Sequence, residues 1–261
     1  MLAGIDLRLY TPEFTVVAES PDHIVVDKPA HLMVHPSNPG NPPTLWDGLR
    51  VLLAYELANG GQLSIITRLD RETSGLVLVA KHRGAARTFG KAMERGEFEK
   101  RYQAIVWGWP ADDDFTVDAP LIRKGEVEPS PVWVRQMVHP SGRACRTEFS
   151  VLRRFERLHG GESVPCALLE CRPRTGRMHQ IRAHLHHAGH PIVGDKLYGP
   201  DEGCYLDFID HGWTETLADR LILHRQALHA AHLEWSDHRW ECSLPCELAD
   251  FIAGRPVEPR G

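Results

Sequence analysis

Short β-branched and apolar runs alternate with turn residues through the first third of the chain. Residues 14–17 (FTVV) and 24–26 (IVV) predict two strands, and Lys28-Pro29 ends the second. Apolar residues at helical spacing then predict a helix from Leu45 to about Ala58, which Thr44 can cap and Asn59-Gly60-Gly61 stops. Its apolar face would consist of Leu45, Leu49, Leu52 and Leu53.

The remaining pattern predicts many strands and few helices. Strands are expected at 63–66, 76–79, 101–107, 132–138, 147–152, 167–171 and 228–234, and helices at 84–95, 178–188 and 247–253. This order favours an α+β fold with a mixed, largely antiparallel sheet and flanking helices. We expect an N-terminal arm at residues 1–13, a proline-rich loop at 38–43, and one domain over 14–261. The acidic, weakly periodic segment 200–221 is interpreted as an insertion.

Composition narrows the class of protein. The chain has 261 residues, of which 42% are hydrophobic, so it can bury a large core and disorder is excluded. No apolar run is long enough to span a membrane and the N-terminus lacks the order of a secretory signal, which predicts a cytoplasmic protein without a membrane partner. Six cysteines without a C-x-x-C pair predict reduced, packed thiols. A monomer is the default expectation.

The charges are segregated along the chain. The net charge is −5, yet residues 172–187 contain four arginines, four histidines and no acid. A basic segment in an acidic protein suits local recognition of a structured anion such as RNA. The alternative is an ordinary solvated helix face.

Asp70 is the candidate for chemistry. It lies in a loop that ends at Gly75, between two predicted apolar strands, where a sheet edge can hold a carboxylate rigidly. Aspartate is also a common turn residue, so the loop alone leaves both interpretations open. The arginines of segment 172–182 could keep a partly buried carboxylate ionised, and Tyr102 on another predicted strand adds a ring with a phenolic oxygen.

Four separated motifs make the interpretation specific. They are Val25-Val26-Asp27-Lys28-Pro29 with Val34-His35-Pro36; Arg68-Leu69-Asp70 with Thr73-Ser74-Gly75; Lys100-Arg101-Tyr102-Gln103-Ala104 with Gly108; and Thr175-Gly176-Arg177 with His179-Gln180-Ile181-Arg182, continuing through Gly189-His190-Pro191-Ile192 to Gly194-Asp195. In this order they resemble the RluA-type family of RNA pseudouridine synthases.

The resemblance implies a catalytic domain with a central RNA-binding cleft that isomerises uridine in ribosomal or transfer RNA without a metal or other cofactor. It implies that Asp70 is the nucleophile, and that Tyr102 stacks on the flipped uracil and transfers a proton. Arg182 is the candidate for an ion pair with Asp70, and Ile181 is the candidate for the apolar wall of the cleft. The other candidate RNA contacts are Arg68, Arg71, Arg177, His179, Gln180, Lys28 and His35, although Lys28 can equally act only as a strand terminator.

Two positions depart from the family pattern. Thr67 stands where the family often has histidine, and His31 stands where a glycine often follows Lys-Pro-x. Both bear on the local shape of loops and on which RNA is accepted. The small RNA-binding domain that precedes the catalytic domain in some relatives is not expected here, so the catalytic domain itself would recognise the RNA.

Two other classes of function remain open. His179, His184 and His187 could suggest a zinc-dependent hydrolase, but their spacing places them off a common helix face and no H-E-x-x-H motif occurs. A catalytically inactive RNA-binding protein would keep the same scaffold; intact Asp70, Tyr102 and Arg182 argue against it. The seven tryptophans could form a base-stacking surface, although core packing is their usual role.

Overall fold

Antiparallel strand pairing organises the protein, whose computed structural model describes residues 12–36 and 42–257. The expected arm at 1–13 and the loop at 38–43 lie largely outside these residues. The strands are β1 Thr15–Glu19, β2 His23–Lys28, β3 Ser64–Ile65, β4 Ser74–Ala80, β5 Glu99–Trp107, β6 Asp114–Asp118, β7 Leu121–Arg123, β8 Gln136–Val138, β9 Arg146–His159, β10 Glu162–Pro173, β11 Leu228–Trp235 and β12 His238–Glu241. The helices are α1 Leu45–Leu52, α2 Ala54–Ala58, α3 Arg83–Glu94, α4 Gln180–His187, α5 Gly203–His211, α6 Glu215–Leu221 and α7 Cys246–Ile252.

The chain forms two units. One ends at Phe98 and also includes His232–Cys242, and the other comprises Glu99–Ala231 and the chain from Ser243 onward. In the first unit β2 pairs with β1 and β4, and β3 also pairs with β4, all antiparallel. Strands β2 and β4 are apolar on both faces because each face meets a separate cluster. Val25 and Leu78 join the cluster that contains Phe89 of α3, while Ile24 and Val77 join the one that contains α1.

The second unit is built on a long antiparallel hairpin. Strand β10 pairs with β5 on one side and with β9 on the other, and β9 continues to β6. Gly160 and Gly161 alone separate the paired residues His159 and Glu162, and both glycines have positive φ, 58° and 86°. Two successive positive φ angles are what a two-residue type I′ hairpin turn requires. The predicted strands at 147–152 and 167–171 are therefore parts of two much longer strands.

The expected α+β class with a largely antiparallel sheet is confirmed, but two elements differ from prediction. The helix expected at 45–58 is interrupted at Leu53 (φ −104°, ψ 29°), which lies outside the helical region. Leu52, expected on the apolar face, is 50% exposed, because regular helix geometry ends there. In the strand expected at 132–138, the Arg135 N–H donates to the Val132 carbonyl (3.1 Å), so these residues form a turn and the strand begins at Gln136.

The segment expected to be an insertion, 200–221, contains helices α5 and α6. Its acids are partly neutralised by one arginine, since Arg220 donates to Asp201 and to Asp207 (3.1 Å to Asp207). The segment is therefore ordered helical structure within the second unit.

The predicted cap of α1 is confirmed and is a full capping box. The Thr44 hydroxyl accepts from the Asp47 N–H (3.4 Å), and the Asp47 carboxylate accepts from the Thr44 N–H (2.9 Å). We expect Thr44→Ala to lower the free energy of unfolding by about 1 kcal/mol, because the first turn of α1 loses a partner for an N–H group. Urea denaturation would measure the change. Thr88→Ala, at an exposed position inside α3, is the matched control and should not destabilise; equal losses would contradict the assignment.

Candidate active site

The loop that carries Asp70 is a tight turn between β3 and β4. The Thr73 N–H donates to the Asp70 carbonyl (3.1 Å), which closes the turn over residues 70–73. Asp70 is half-buried, while Arg68 and Arg71 are exposed. Gly75 then has φ of 115°, a conformation that favours glycine. The turn thus places the Asp70 carboxylate between two solvent-accessible cations in the sequence, Arg68 and Arg71.

Thr67 fixes the entry to this loop. Its buried hydroxyl accepts the Leu78 N–H (2.8 Å), and the carbonyl of Leu78 accepts the Ile66 N–H (2.9 Å). The side chain thereby supplies a backbone group of β4 with the acceptor that a strand neighbour would otherwise provide. The Thr67 departure therefore has a definite structural role at the base of the Asp70 loop.

Lys28 ties the same loop to the segment that follows β2. Its side chain is completely buried, and its ammonium donates to the carbonyls of Pro29 (2.7 Å), Leu32 (2.9 Å) and Arg71 (3.2 Å). An ammonium group has three donors. The sequence suggested an RNA contact or a strand terminator. Strand β2 does end at Lys28, whereas the RNA contact stays a prediction. The three hydrogen bonds lead us to expect that Lys28 also positions the turn next to Asp70.

The His31 departure coincides with a left-handed residue. His31 has φ of 65°, a region that glycine occupies without strain. Its carbonyl accepts from Arg71 Nε at 3.4 Å. The glycine of the family pattern is thus explained by the backbone of this turn. His35, which follows in the same segment, is exposed and stacks on Trp46 with 4.8 Å between ring centroids.

In the second unit, Tyr102 lies on β5 opposite Cys171 of β10 and is half-buried. Lys100 precedes it by two residues, so both side chains project from the same face of the strand. Burial lowers the pKa of Lys100. Its ammonium lies 3.8 Å from the position that a Cβ on Gly176 would occupy. Lys100 is a site residue that sequence reasoning missed, although its spacing of two from Tyr102 on a predicted strand indicates a common face.

Gln180 acts inside the unit rather than at its surface. It is 4% exposed, and its Oε1 accepts from the Thr175 hydroxyl (2.7 Å) and the Arg177 N–H (3.0 Å). Its Nε2 donates to the Arg146 carbonyl and to the Thr147 hydroxyl, both at 3.0 Å. All four hydrogen-bonding positions of the amide are thus occupied. We therefore expect Gln180 to anchor the loop before α4 rather than to contact RNA directly.

Arg182 is held by a buried carboxylate. Its Nε and Nη2 donate to the two oxygens of Asp195 at 2.7 and 2.9 Å, and Asp195 is fully buried. Burial by itself raises the pKa of Asp195, but the charge and donors of Arg182, with the N–H groups of Leu197 and Tyr198, bring it below its ordinary value. Asp195 is a partner that sequence reasoning missed, because spacing does not reveal such a pair. The expected ion pair of Arg182 with Asp70 stays a prediction.

The other predicted contacts around α4 differ in exposure. Arg177 is exposed, whereas Ile181 belongs to the main apolar cluster of the second unit. His179 is half-buried and left-handed (φ 56°), and its Nδ1 lies 3.0 Å from the Tyr198 hydroxyl. That hydroxyl already accepts the Gln136 N–H (2.7 Å), so it can donate its own proton to His179. Of these three residues, Arg177 is the most accessible to a ligand.

The zinc interpretation conflicts with the position of His184. Its ring is fully buried, with Nδ1 2.9 Å from the Thr147 hydroxyl and Nε2 3.0 Å from the Ala119 carbonyl. Burial lowers its pKa. Both nitrogens are therefore engaged by protein groups. In the described part of the chain, no three His, Cys, Asp or Glu side chains are grouped so as to hold a metal.

Comparison with known proteins agrees with the motifs. Residues 22–187 match the sequence model of the family described as RNA pseudouridylate synthase. An uncharacterized RNA pseudouridine synthase of Chloroflexus aurantiacus is 41% identical over 232 residues, which cover 85% of this chain and 63% of the relative. Ribosomal large subunit pseudouridine synthase D of Nitrosomonas europaea is 36% identical over 247 residues, which cover 88% of this chain and 62% of the relative. The protein of the same name from Escherichia coli K12 is 33% identical over 246 residues, which cover 91% of this chain and 69% of the relative.

Two solved human structures share the fold. RNA pseudouridylate synthase domain containing 4 aligns with a TM-score of 0.69 at 22% identity, covering 95% of each chain. RNA pseudouridylate synthase domain containing 1 aligns with a TM-score of 0.65 at 23% identity, covering 89% of this chain and 83% of the other. At this identity the similarity concerns the fold alone.

The protein thus belongs to the RNA pseudouridylate synthase family, and the RluA-type resemblance is confirmed. The chain spans less than two thirds of the length of the Chloroflexus and Nitrosomonas relatives. Within residues 12–36 and 42–257, none of the helices combines the length and the apolar character needed to cross a bilayer.

The Thr67 hydrogen bond gives a direct test of the loop. We expect Thr67→Val to lower the free energy of unfolding by about 1–3 kcal/mol, because it leaves the buried Leu78 N–H without an acceptor. Thr67→Ser keeps the hydroxyl and is the matched control. Urea denaturation of both variants measures the difference. A loss for the serine variant as large as for the valine variant would show that the methyl group, not the hydrogen bond, matters.

Proposed function

We propose that this protein isomerises uridine to pseudouridine in RNA, with Asp70 as the catalytic carboxylate. The observation that carries the proposal is the construction of the Asp70 turn, where Thr67 and Lys28 fix the backbone while the Asp70 side chain stays half-exposed. Such a turn can hold a reactive group in one direction without excluding a substrate. Membership of the pseudouridylate synthase family supports this reaction.

The reaction breaks the bond from the sugar C1′ to N1 of the base and forms a bond from C1′ to C5. The C5 proton leaves and N1 gains a proton, so neither oxidation nor net hydrolysis occurs. Attack on the sugar and attack on the base both require an ionised carboxylate and a group that moves a proton. Neither step needs a metal or an organic cofactor, so the side chains of the protein suffice.

Tyr102 fits the second requirement. Its ring can stack on the uracil after the base has left the RNA stack, which offsets part of the few kcal/mol that unstacking costs. Its phenolic oxygen can take part in the proton transfer. The pairing of β5 with β10 fixes the backbone at Tyr102, so the ring is carried by a rigid strand rather than by a loop.

Large-subunit ribosomal RNA is the substrate we favour over transfer RNA. The support is that the Nitrosomonas and Escherichia coli relatives are named ribosomal large subunit pseudouridine synthase D. Arg68, Arg71 and Arg177 are the exposed arginines among the candidate RNA contacts and are proposed to contact RNA phosphates. The reaction would then take place in the cytoplasm, where ribosomes are made.

Asp70→Asn should reduce pseudouridine formation by roughly 10⁴-fold or more, because the amide cannot act as the nucleophile. Release of tritium from RNA labelled at uridine C5 measures turnover, and filter binding measures RNA affinity, which should be retained. Glu72→Gln removes the neighbouring carboxylate and should keep most of the activity. Substantial turnover by Asp70→Asn, with Glu72→Gln as the impaired variant, would refute the assignment of Asp70. An unsubstituted protein that binds RNA without turnover would instead support a catalytically inactive RNA-binding scaffold.

Tyr102→Phe separates stacking from proton transfer. We expect a fall in kcat of about 10²–10⁴-fold with little change in RNA affinity, since the ring remains and only the hydroxyl is lost. Tyr102→Leu should in addition weaken binding, by about 1–3 kcal/mol, the value of one stacked base. Single-turnover kinetics at saturating enzyme give the chemical rate. A weaker affinity for Tyr102→Phe at an unchanged chemical rate would contradict the proposed role.

A further inference from the structure

A cavity in the second unit is lined by Arg177 together with residues to which no function has been assigned. It has a volume of about 290 Å³ and is formed by the β7–β8 hairpin, the loop at 141–143 and the loop before α4. The lining includes Arg123, Arg143 and Arg177, the hydroxyl residue Ser141, and a single carboxylate, Glu126. All three arginines are exposed, so a ligand can reach them from solvent.

The charge of the cavity is not cancelled from within. Arg123 approaches Glu126 only to 3.8 Å, and both side chains are 44% exposed, which makes this a weak pair. For Arg143 and Arg177, the described residues provide no carboxylate within ion-pair distance. Three guanidinium groups around one small space, opposed by one acid, attract an anion. This cluster differs from Arg172 and Arg174, which pair with Glu170 and Glu148.

Close backbone packing holds Arg143 at the cavity. Leu121 and Arg143 exchange two backbone hydrogen bonds, of 3.0 and 2.8 Å. A Cβ on the adjacent Gly142 would lie 2.6 Å from the Leu121 carbonyl carbon, so only glycine permits this approach. Arg143 is therefore attached to β7, the strand that also carries Arg123.

Arg123 is restrained by an aromatic side chain. Its guanidinium carbon lies 5.0 Å from the centroid of the Trp133 ring. Trp133 in turn packs so tightly on Gly125 that a Cβ there would overlap the ring. Glu202 further braces the hairpin loop, since its carboxylate accepts from Lys124 (3.0 Å) and Arg135 (2.8 Å). Arg123 thus projects from a braced hairpin, and Arg143 from a loop that is hydrogen-bonded to it, which lowers the entropic cost of binding.

We propose that this cavity binds a phosphodiester group of the RNA substrate, at a nucleotide other than the one that is isomerised. The volume is near the lower end of ligand pockets, about 300–1,000 Å³, and suits one nucleotide rather than an extended ligand. Planar guanidinium groups and a hydroxyl match the oxygens of a phosphate. The inference rests on the proposed function, because it takes the anion to be RNA.

The test compares arginines inside and outside the cavity. Binding of a large-subunit ribosomal RNA transcript is measured by filter binding over a range of KCl concentrations for Arg143→Gln, Arg123→Gln and the double variant. Arg153→Gln, at an exposed position of β9 outside the cavity lining, is the matched control. Arg143→Lys keeps the charge and controls for folding. Isothermal titration calorimetry with inorganic phosphate measures whether the cavity binds a free anion rather than a phosphate group of RNA.

We expect Arg143→Gln to weaken RNA binding about tenfold at moderate salt and to lower the slope of log affinity against log salt by about 0.7–0.9, the value for one phosphate contact. Arg143→Lys should retain the slope. The double variant should lose less RNA-binding free energy than the sum of the losses of the two single variants, because both arginines contact one phosphate. In turnover assays KM should rise while kcat stays near that of the unsubstituted protein.

Equal behaviour of Arg143→Gln and Arg153→Gln would overturn the proposal. It would also be overturned if Arg143→Gln lost binding of inorganic phosphate while RNA affinity stayed unchanged, since the site would then serve a free anion. Failure of the proposed function is a separate result. The unsubstituted protein would then form no pseudouridine, yet Arg143→Gln would still bind RNA more weakly than Arg153→Gln.

Discussion

The Lys28 ammonium carries a charge at a position without exposed surface, and removing such a group from water costs several kcal/mol unless protein groups replace the lost hydration. Three backbone carbonyls, of Pro29, Leu32 and Arg71, provide that replacement. The energy of the buried charge depends on all three, so the segment after β2 and the turn beside Asp70 are fixed together. The hydrogen bonds that the buried Lys28 ammonium requires therefore hold the Asp70 turn in place.

The second unit uses an arginine in the same way. Arg182 is 7% exposed and gives two donors to the fully buried Asp195, whose oxygen also accepts from two backbone N–H groups that follow it in the chain. The pair therefore joins α4 to the segment after it. In each unit a buried cation donates to protein oxygens at a candidate functional residue. The Arg71 carbonyl bound by Lys28 adjoins Asp70, and Arg182 is itself a candidate.

Local patterns were enough for elements whose energetics are local. The capping box at Thr44, the end of β2 at Lys28 and the buried strand β4 follow from side-chain type and spacing. The turn at Val132 and the interruption at Leu53 were missed because both residues are buried in apolar clusters, and an apolar pattern alone does not show where the backbone leaves a regular element. The Gly160-Gly161 pair is a sequence signal for a two-residue hairpin turn, so the connection between β9 and β10 is also a local feature.

The candidate site was predictable in its residues and less so in their roles. The motifs identified Asp70, Tyr102 and Arg182 together with their polar neighbours. Gln180 was expected to contact RNA, and Lys28 either to contact RNA or only to end β2, because a lysine or glutamine in a motif looks the same whether its donors meet a phosphate or a carbonyl. Only their tertiary partners show that both are occupied inside the protein. Asp195 was missed for the converse reason, since nothing in the spacing connects it to Arg182.

The net charge of −5 is compatible with RNA binding because charge acts over short distances in salt. The Debye length is about 8 Å at physiological ionic strength, so distant acids hardly affect a phosphate in contact with an arginine. Many acids are also held in internal pairs, as Glu202 is with Lys124 and Arg135. Arg143 and Arg177 instead face a cavity with one carboxylate. RNA affinity should therefore depend on a few localised cations, and this limits nonspecific attraction to other polyanions.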